Sequence, residues 1–386
     1  GNYLDMIRST KNNPNENYAR EILQLFSVGL YNLNIKGEVQ CIEHNPCQVG
    51  DTPSPTYDQN VVNGFTKALT GWNLCSAGPP TCPNGQVGIP DYADNLTFNF
   101  ANHDTGSKLL LNGVTIPANA VAHNGVAELN ATIDNIFNHA NVGPFVSKSL
   151  IQSLVTSDPT PDYVGRVATV FNNNGFGVRG DMAAVVRAIL LDPEARGDLK
   201  TDPKYGQLRE PVTYMTGILR TFNVRAANGV PGSQSDGYLN PQTSTLSQNV
   251  FNPTTVFSYY FPDYIVAASN PSVLGPEFGI MTTTTSLRRA NLVNTFAFAN
   301  VPISGTSGPN GTSIDLSELQ NLSSQDATGA LLVDTLNQKL MHGSMSAQMR
   351  TSILTAVTTV SSGNPTLRAQ TALYLVASSS QYQVKR

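Results

Sequence analysis

The sequence predicts a mainly α fold: a multi-helix globular bundle, with an α/α-barrel-like arrangement among its options, carrying one small β-hairpin. Three observations point there. Apolar residues recur at helical spacing in eleven segments along the chain. Only two short stretches read as strands. At 386 residues, with 13% of them charged, the chain can bury a large core without needing staples.

The helical segments run over residues 15–30, 57–71, 124–139, 142–155, 161–173, 179–191, 205–223, 285–298, 328–342, 346–360 and 364–378. The first opens with NNPNENYARE. Asn13 suits an N-cap, Pro14 the first helical position, and Glu16 the return bond of a capping box. Tyr18, Ala19, Ile22, Leu23, Leu25, Phe26, Gly29 and Leu30 then cover an apolar arc of about 160°, wider than a surface helix shows. Glu16 and Arg20 share one border of that arc, and Glu21 lies on the other beside Asn17. Charges at the border of a buried face need partners or a cleft. Either Glu16 caps and pairs with Arg20 while Glu21 ties to another helix, or Glu16 and Glu21 are catalytic acids with Arg20 a binding group. On the first reading, Arg20→Met should cost about 3–5 kcal/mol if the pair is buried.

The second segment, YDQNVVNGFTKALTG, is followed by Trp72, the only tryptophan, which can serve as core or as a sugar-stacking platform. LTFNF (96–100) and SKLLLNGVTI (107–116) are the two strand candidates, expected to pair across the turn HDTG. His103 and Asp104 in that turn can supply an acid or base, or two metal ligands. They can equally build an Asx turn in which Asp104 accepts from the amides of Thr105 and Gly106. Residues 225–255 and 302–314 are long irregular stretches. The first leads into an aromatic run in which Tyr259, Tyr260 and Tyr264 are candidates for binding, with packing as the bland alternative. No change of composition divides the chain sharply. A single domain, 1–386, is expected; the alternative is a helical core with hairpin (1–224) followed by an aromatic-loop and helical part (225–386).

Cys41 and Cys47, then Cys75 and Cys82, fall in Pro/Gly/Asn-rich loops. Their spacings are looser than those of structural zinc sites, so disulfides are expected, with free thiols and metal as alternatives and His44 inside the first loop. Of the three possible pairings, the local one pins each loop tip. Disulfides imply an oxidising compartment, and an Asn/Ser/Thr-rich surface suits a secreted, periplasmic or cell-surface protein. A net charge of −4 leaves no basic footprint for nucleic acid. No apolar run reaches the roughly 18–20 residues that span a bilayer. The remaining histidines, His44, His123, His139 and His342, form no HExxH, and there is no nucleotide-binding glycine loop, so no cofactor and no metal are expected. The chain begins at Gly1 without Met, already in what reads as a helix (YLDMIRST), as a processed or partial sequence would.

NENYAREILQLFSVGL, GFTKALTGW, HDTGSK and LREPV together resemble the bacterial family catalogued as domain of unknown function 1800. Glu16, Asn17, Ala19, Arg20 and Glu21 match its NENxARE motif; Gln24 and Ser27-Val28 depart mildly from the run that follows. The resemblance implies export, a helical fold, a further helical stretch before NENxARE that this chain lacks, and a frequent genomic neighbour from an uncharacterised family numbered 1501. It implies no activity. Two functions are expected from it and from the residues: an extracellular binding or assembly module, with the 1501 protein or a cell-surface glycan as partner, or a secreted polysaccharide hydrolase or lyase. Two acids facing across an open cleft, about 5–10 Å apart, would favour the enzyme. Acids buried against cations would favour the module.

Overall fold

The computed structural model describes residues 6–198, 202, 204–267 and 269–386. The chain divides into two compact units, Gly1–Leu154 with Pro159–Arg196, and Val155–Asp158 with Gly197–Arg386. The division at residue 196 comes earlier than the alternative subdivision at 224. The described residues are mainly helical, with only two-stranded antiparallel sheets beside the helices.

The first unit holds α1 (Asn17–Gln24), α2 (Gln59–Ala68), α3 (Val126–Phe137), α4 (Val142–Leu154), α5 (Pro161–Asn172), α6 (Met182–Leu191) and α7 (Pro193–Arg196). Its strands are β1 (Trp72–Asn73), β2 (Thr97–Phe98), β3 (Lys108–Leu109) and β4 (Thr115–Ile116). Helix starts follow the expected chemistry. Asp58 accepts from Val61, Thr160 from Tyr163 with Pro161 in the first turn, and Asp181 from Ala184, each cap contributing about 1 kcal/mol. α5 packs against α4 and α6, burying Ile151, Tyr163, Val167 and Ile189 completely.

Three local expectations are corrected. The first helix starts at Asn17, not at Pro14: Asn13 bridges back to Thr10, Asn15 Oδ1 takes the Asn17 amide, and Glu16 is an N-cap without a side-chain capping bond. α1 is therefore short, and Phe26 and Leu30, at the end of the expected arc, are exposed. The hairpin lies within 107–116, where Lys108 pairs with Ile116 and Leu109 with Thr115. The stretch 96–100 pairs elsewhere, setting Phe98 opposite Trp72. Of the expected opening helix YLDMIRST (3–10), residues 3–5 lie outside the described residues, and Met6–Arg8 is a single 3-10 turn.

Residues 30–56 form an irregular ladder through isolated bridges, Tyr31 with Pro55, Leu33 with Val39 and Cys41 with Pro53. Buried Asn141 fastens it to the start of α4. Its amide donates to the carbonyls of Val28 and Tyr31 at 2.8 Å, and its oxygen accepts from the Leu33 amide at 2.9 Å. Both disulfides are local, Cys41 with Cys47 and Cys75 with Cys82, and no free cysteine remains.

The second unit holds α8 (Pro211–Thr221), α9 (Asn240–Thr245), α10 (Thr283–Phe298), α11 (Ser317–Gln325), α12 (Ala330–Met341), α13 (Ala347–Thr359), α14 (Pro365–Ser378) and α15 (Ser380–Gln383), with β5 (Gln207–Leu208) paired to β6 (Val384–Lys385). α14 is its axis and packs against α10, α11, α12 and α13. Asn364 caps it and Pro365 occupies its first turn. Ala369, Ala372, Leu373, Val376 and Ala377 are fully buried at i, i+3, i+4, i+7 and i+8, and the alanines let four neighbours approach closely. α10 begins with a Thr282–Thr285 capping box. Helices α7, α9, α11 and α15 were not expected. Among the described residues, no helix is long and apolar enough to cross a membrane.

Candidate functional site

The motifs GFTKALTGW and HDTGSK lock together in the first unit. Gly64 lets α2 lie on β3, since a Cβ there would overlap the Leu109 carbonyl oxygen at 1.8 Å. At the end of α2, Thr70 serves the HDTG turn with both its oxygens. Its hydroxyl donates to the Lys67 carbonyl at 2.7 Å and accepts from the Asp104 amide at 2.8 Å. Its carbonyl accepts from His103 Nδ1 at 2.9 Å. Gly71, at φ +82°, passes so close to Asn99 and His103 that no side chain fits. Trp72 is 5% exposed and packs on Phe98, ring centres 5.0 Å apart, which leaves no open face for a sugar.

Within the turn, Asp104 Oδ1 accepts from the Gly106 amide at 2.8 Å, an Asx turn. His103 points inward. Its Nε2 lies 2.6 Å from Oε2 of Glu128 in the first turn of α3. Lys108, the last residue of HDTGSK, is fully buried. Its ammonium donates to Glu128 Oε1 and to the Gly106 carbonyl, both at 3.0 Å. The carboxylate is thus clamped by a buried imidazole and a buried ammonium, and the other ring present, His123, lies against Phe98, Phe100 and His103. Sequence reasoning missed Glu128, Lys108 and His123. Lys108 stood inside a quoted motif, and a buried lysine demands a carboxylate; Glu128 and His123 gave no local signal.

The NENYARE charges do not join this cluster. Glu16 Oε1 accepts from Arg20 at 2.9 Å, and both groups bond Gln59 of α2, at 2.7 and 2.8 Å. This triad is exposed, with the Arg20 and Glu16 side chains 34% and 47% accessible. The Arg20 contact, together with Gln59, draws the Glu16 carboxyl below its ordinary value. Glu21 is buried with Oε2 unpartnered, and burial pushes its carboxyl up, offset in part by Arg20.

The aromatic candidates belong to the second unit. Tyr259 donates to the Asn249 carbonyl, and Tyr260 is driven upward by burial and then by Glu210 and Glu277. Tyr264 is more open, 37% exposed. The motif LREPV starts α8. Arg209 donates to the Tyr382 carbonyl at 2.8 Å and Glu210 accepts from Gln248 at 2.5 Å. Glu277, 2% exposed, accepts from Ser157 and Gln207, both at 2.9 Å. Burial holds it above the usual carboxylate range. Ser157 and Gln207 also line a cavity of about 210 Å³ whose wall is mostly apolar, with Leu208, Val266, Phe278 and Val384.

The fold is a helical scaffold in which most of the motif charges meet partners within the first unit, Glu21 excepted. The chain belongs to the family described as protein of unknown function (DUF1800), which it matches over residues 1–384. No curated protein and no solved structure matches it.

Proposed function

We propose that the protein is an extracytoplasmic binding or assembly module whose contact surface lies on the loops around the two disulfides of the first unit. The observation that carries this is the fate of the motif charges. His103 and Lys108 are buried against Glu128 of α3, Glu16 is tied to Arg20 and Gln59, and Asp104 closes its own turn, while Glu21 is buried away from solvent. Acids used in this way fix structure; a glycosidase needs two that face a substrate cleft. The loops supply the complementary feature. Ile42 and Val49 beside the Cys41–Cys47 bridge, and Val87, Ile89 and Tyr92 after Cys75–Cys82, are exposed. Each bridge pins the chain beside these side chains, Ile42 alone lying within a closed loop, and so lowers the entropic cost of ordering an exposed apolar surface on binding.

The partner favoured by the family resemblance is a protein of the neighbouring family numbered 1501. The test mixes the two purified proteins and reads the sedimentation of the complex. A complex that forms with the wild-type chain and is lost in Ile42→Ser/Val49→Ser supports the reading. Absence of a complex, together with release of reducing ends from a cell-surface polysaccharide that Glu16→Gln abolishes, would replace it with a hydrolase. Retention on the intact polysaccharide without cleavage would keep the module and change its partner to the glycan.

A further inference from the structure

We infer that His103, His123 and Glu128 form a site for one divalent transition-metal ion of the zinc class, which ties α3 to the HDTGSK turn. The inference goes beyond the binding reading and does not depend on it. The three side chains come from the turn, the loop before α3, and the first turn of α3. One ligand atom of each lies within 4.8 Å of the other two. Two imidazoles and a carboxylate are a donor set that zinc accepts.

Two observations point to an ion. His103 is held as a ligand would be. Its Nδ1–H donates to the Thr70 carbonyl at 2.9 Å, so the lone pair of Nε2 faces Glu128 Oε2 at 2.6 Å. A backbone acceptor behind a ligating histidine is the usual outer-shell device, and two electron-rich atoms this close require a proton or a cation between them. His123 supplies the second observation. Its Nδ1 accepts from the Gly125 amide at 2.9 Å, while its Nε2 is buried with no partner. A buried ring nitrogen without a partner is costly; an ion takes up that nitrogen once its proton has moved to Nδ1, at the expense of the Gly125 bond.

Phe98 packs against His103 and His123 at 4.9 and 5.8 Å between ring centres, and Phe100 against His123 at 5.2 Å, so the side of the site around the imidazoles is apolar. Lys108 holds Glu128 Oε1, which leaves Oε2 as the coordinating oxygen. Protons balance as follows. Binding sends the proton shared by His103 and Glu128 to solvent. The proton on His123 Nε2 moves to Nδ1, which gives up the Gly125 bond. The His103 and Glu128 side chains are 1% and 10% exposed, so these ligands are shielded from bulk solvent, and the fourth position of a tetrahedral ion falls to a water.

The test uses the full chain, stripped with chelator without reductant and titrated with zinc chloride against a chromogenic zinc chelator. Metal content is read by mass spectrometry after gel filtration. One zinc per chain is expected for wild type, with affinity weakened about 10- to 100-fold or more in His123→Gln, which leaves the His103–Glu128–Lys108 bonds in place. X-ray absorption fine structure on zinc-loaded wild type gives a readout that needs no variant; two imidazoles and a carboxylate are expected. Wild type that retains none of zinc, cobalt or nickel overturns the inference. So does zinc held equally well by wild type, His123→Gln and Glu128→Gln, or an absorption spectrum without histidine ligands.

Discussion

Lys108 and Arg20 both answer a glutamate, and their surroundings make the two pairs unequal. Arg20 keeps a third of its surface in water and shares Glu16 with Gln59, so the pair is screened and Gln59 can hold Glu16 alone. Arg20→Met should therefore cost at most about 1 kcal/mol, well below the 3–5 kcal/mol a buried pair implies. A urea titration that finds the larger loss would contradict this. Glu21 behaves oppositely. Its folded carboxyl is raised, so the native state keeps that proton to higher pH than the unfolded chain does. Stability then falls as pH rises from the ordinary glutamate value through the raised one. Glu21→Gln should be more stable than wild type near neutral pH, and the difference should shrink toward about pH 4, where wild type is protonated. Equal stability at both ends would mean that Glu21 is not the group responsible. At this scale the sequence announced the Glu16–Arg20 pair through i,i+4 spacing. Glu128 stayed hidden because its partners lie twenty and more residues away, a distance set by tertiary structure alone.

Elements were legible where periodicity was long. The eleven expected helical segments each contain a helix, because positions such as Ala369, Leu373 and Val376 repeat on one face. α11 escaped notice because Ser, Gln and Asn dominate it and only Leu319 and Ser323 are buried within it. The ladder of residues 30–56 was equally silent, since isolated bridges need no alternation. Its disulfide predicts a difference in chemistry. Cys75 and Cys82 are buried, whereas Cys47 is exposed, so mild dithiothreitol followed by differential alkylation should label Cys41 and Cys47 first. Labelling of Cys75 and Cys82 first, or together with the other pair, would contradict the burial. In the second unit, Leu373→Ala empties the meeting point of α14 with its neighbours and should cost about 2–5 kcal/mol. A loss under about 1 kcal/mol would show that α14 is not the axis of that core.

For the whole molecule, family and fold class were readable in the sequence while the surface proposed for binding was not. Motifs such as HDTGSK invite a catalytic reading because they gather His, Asp and Lys in a turn. The structure spends those groups on a clamp between α2, the turn and α3, and exposes apolar side chains on loops that carry no motif at all. Composition could mark those loops only through their cysteines. The most direct test of the claim that the motif charges are architectural is amide hydrogen exchange on Lys108→Met beside wild type, both kept metal-free. Removing the ammonium leaves Glu128 buried against His103 alone, which should cost about 3–5 kcal/mol and lower protection across residues 97–116 and 126–137. Unchanged protection in both stretches, with loss of partner binding or of a hydrolytic activity, would contradict the account and make the cluster a working site.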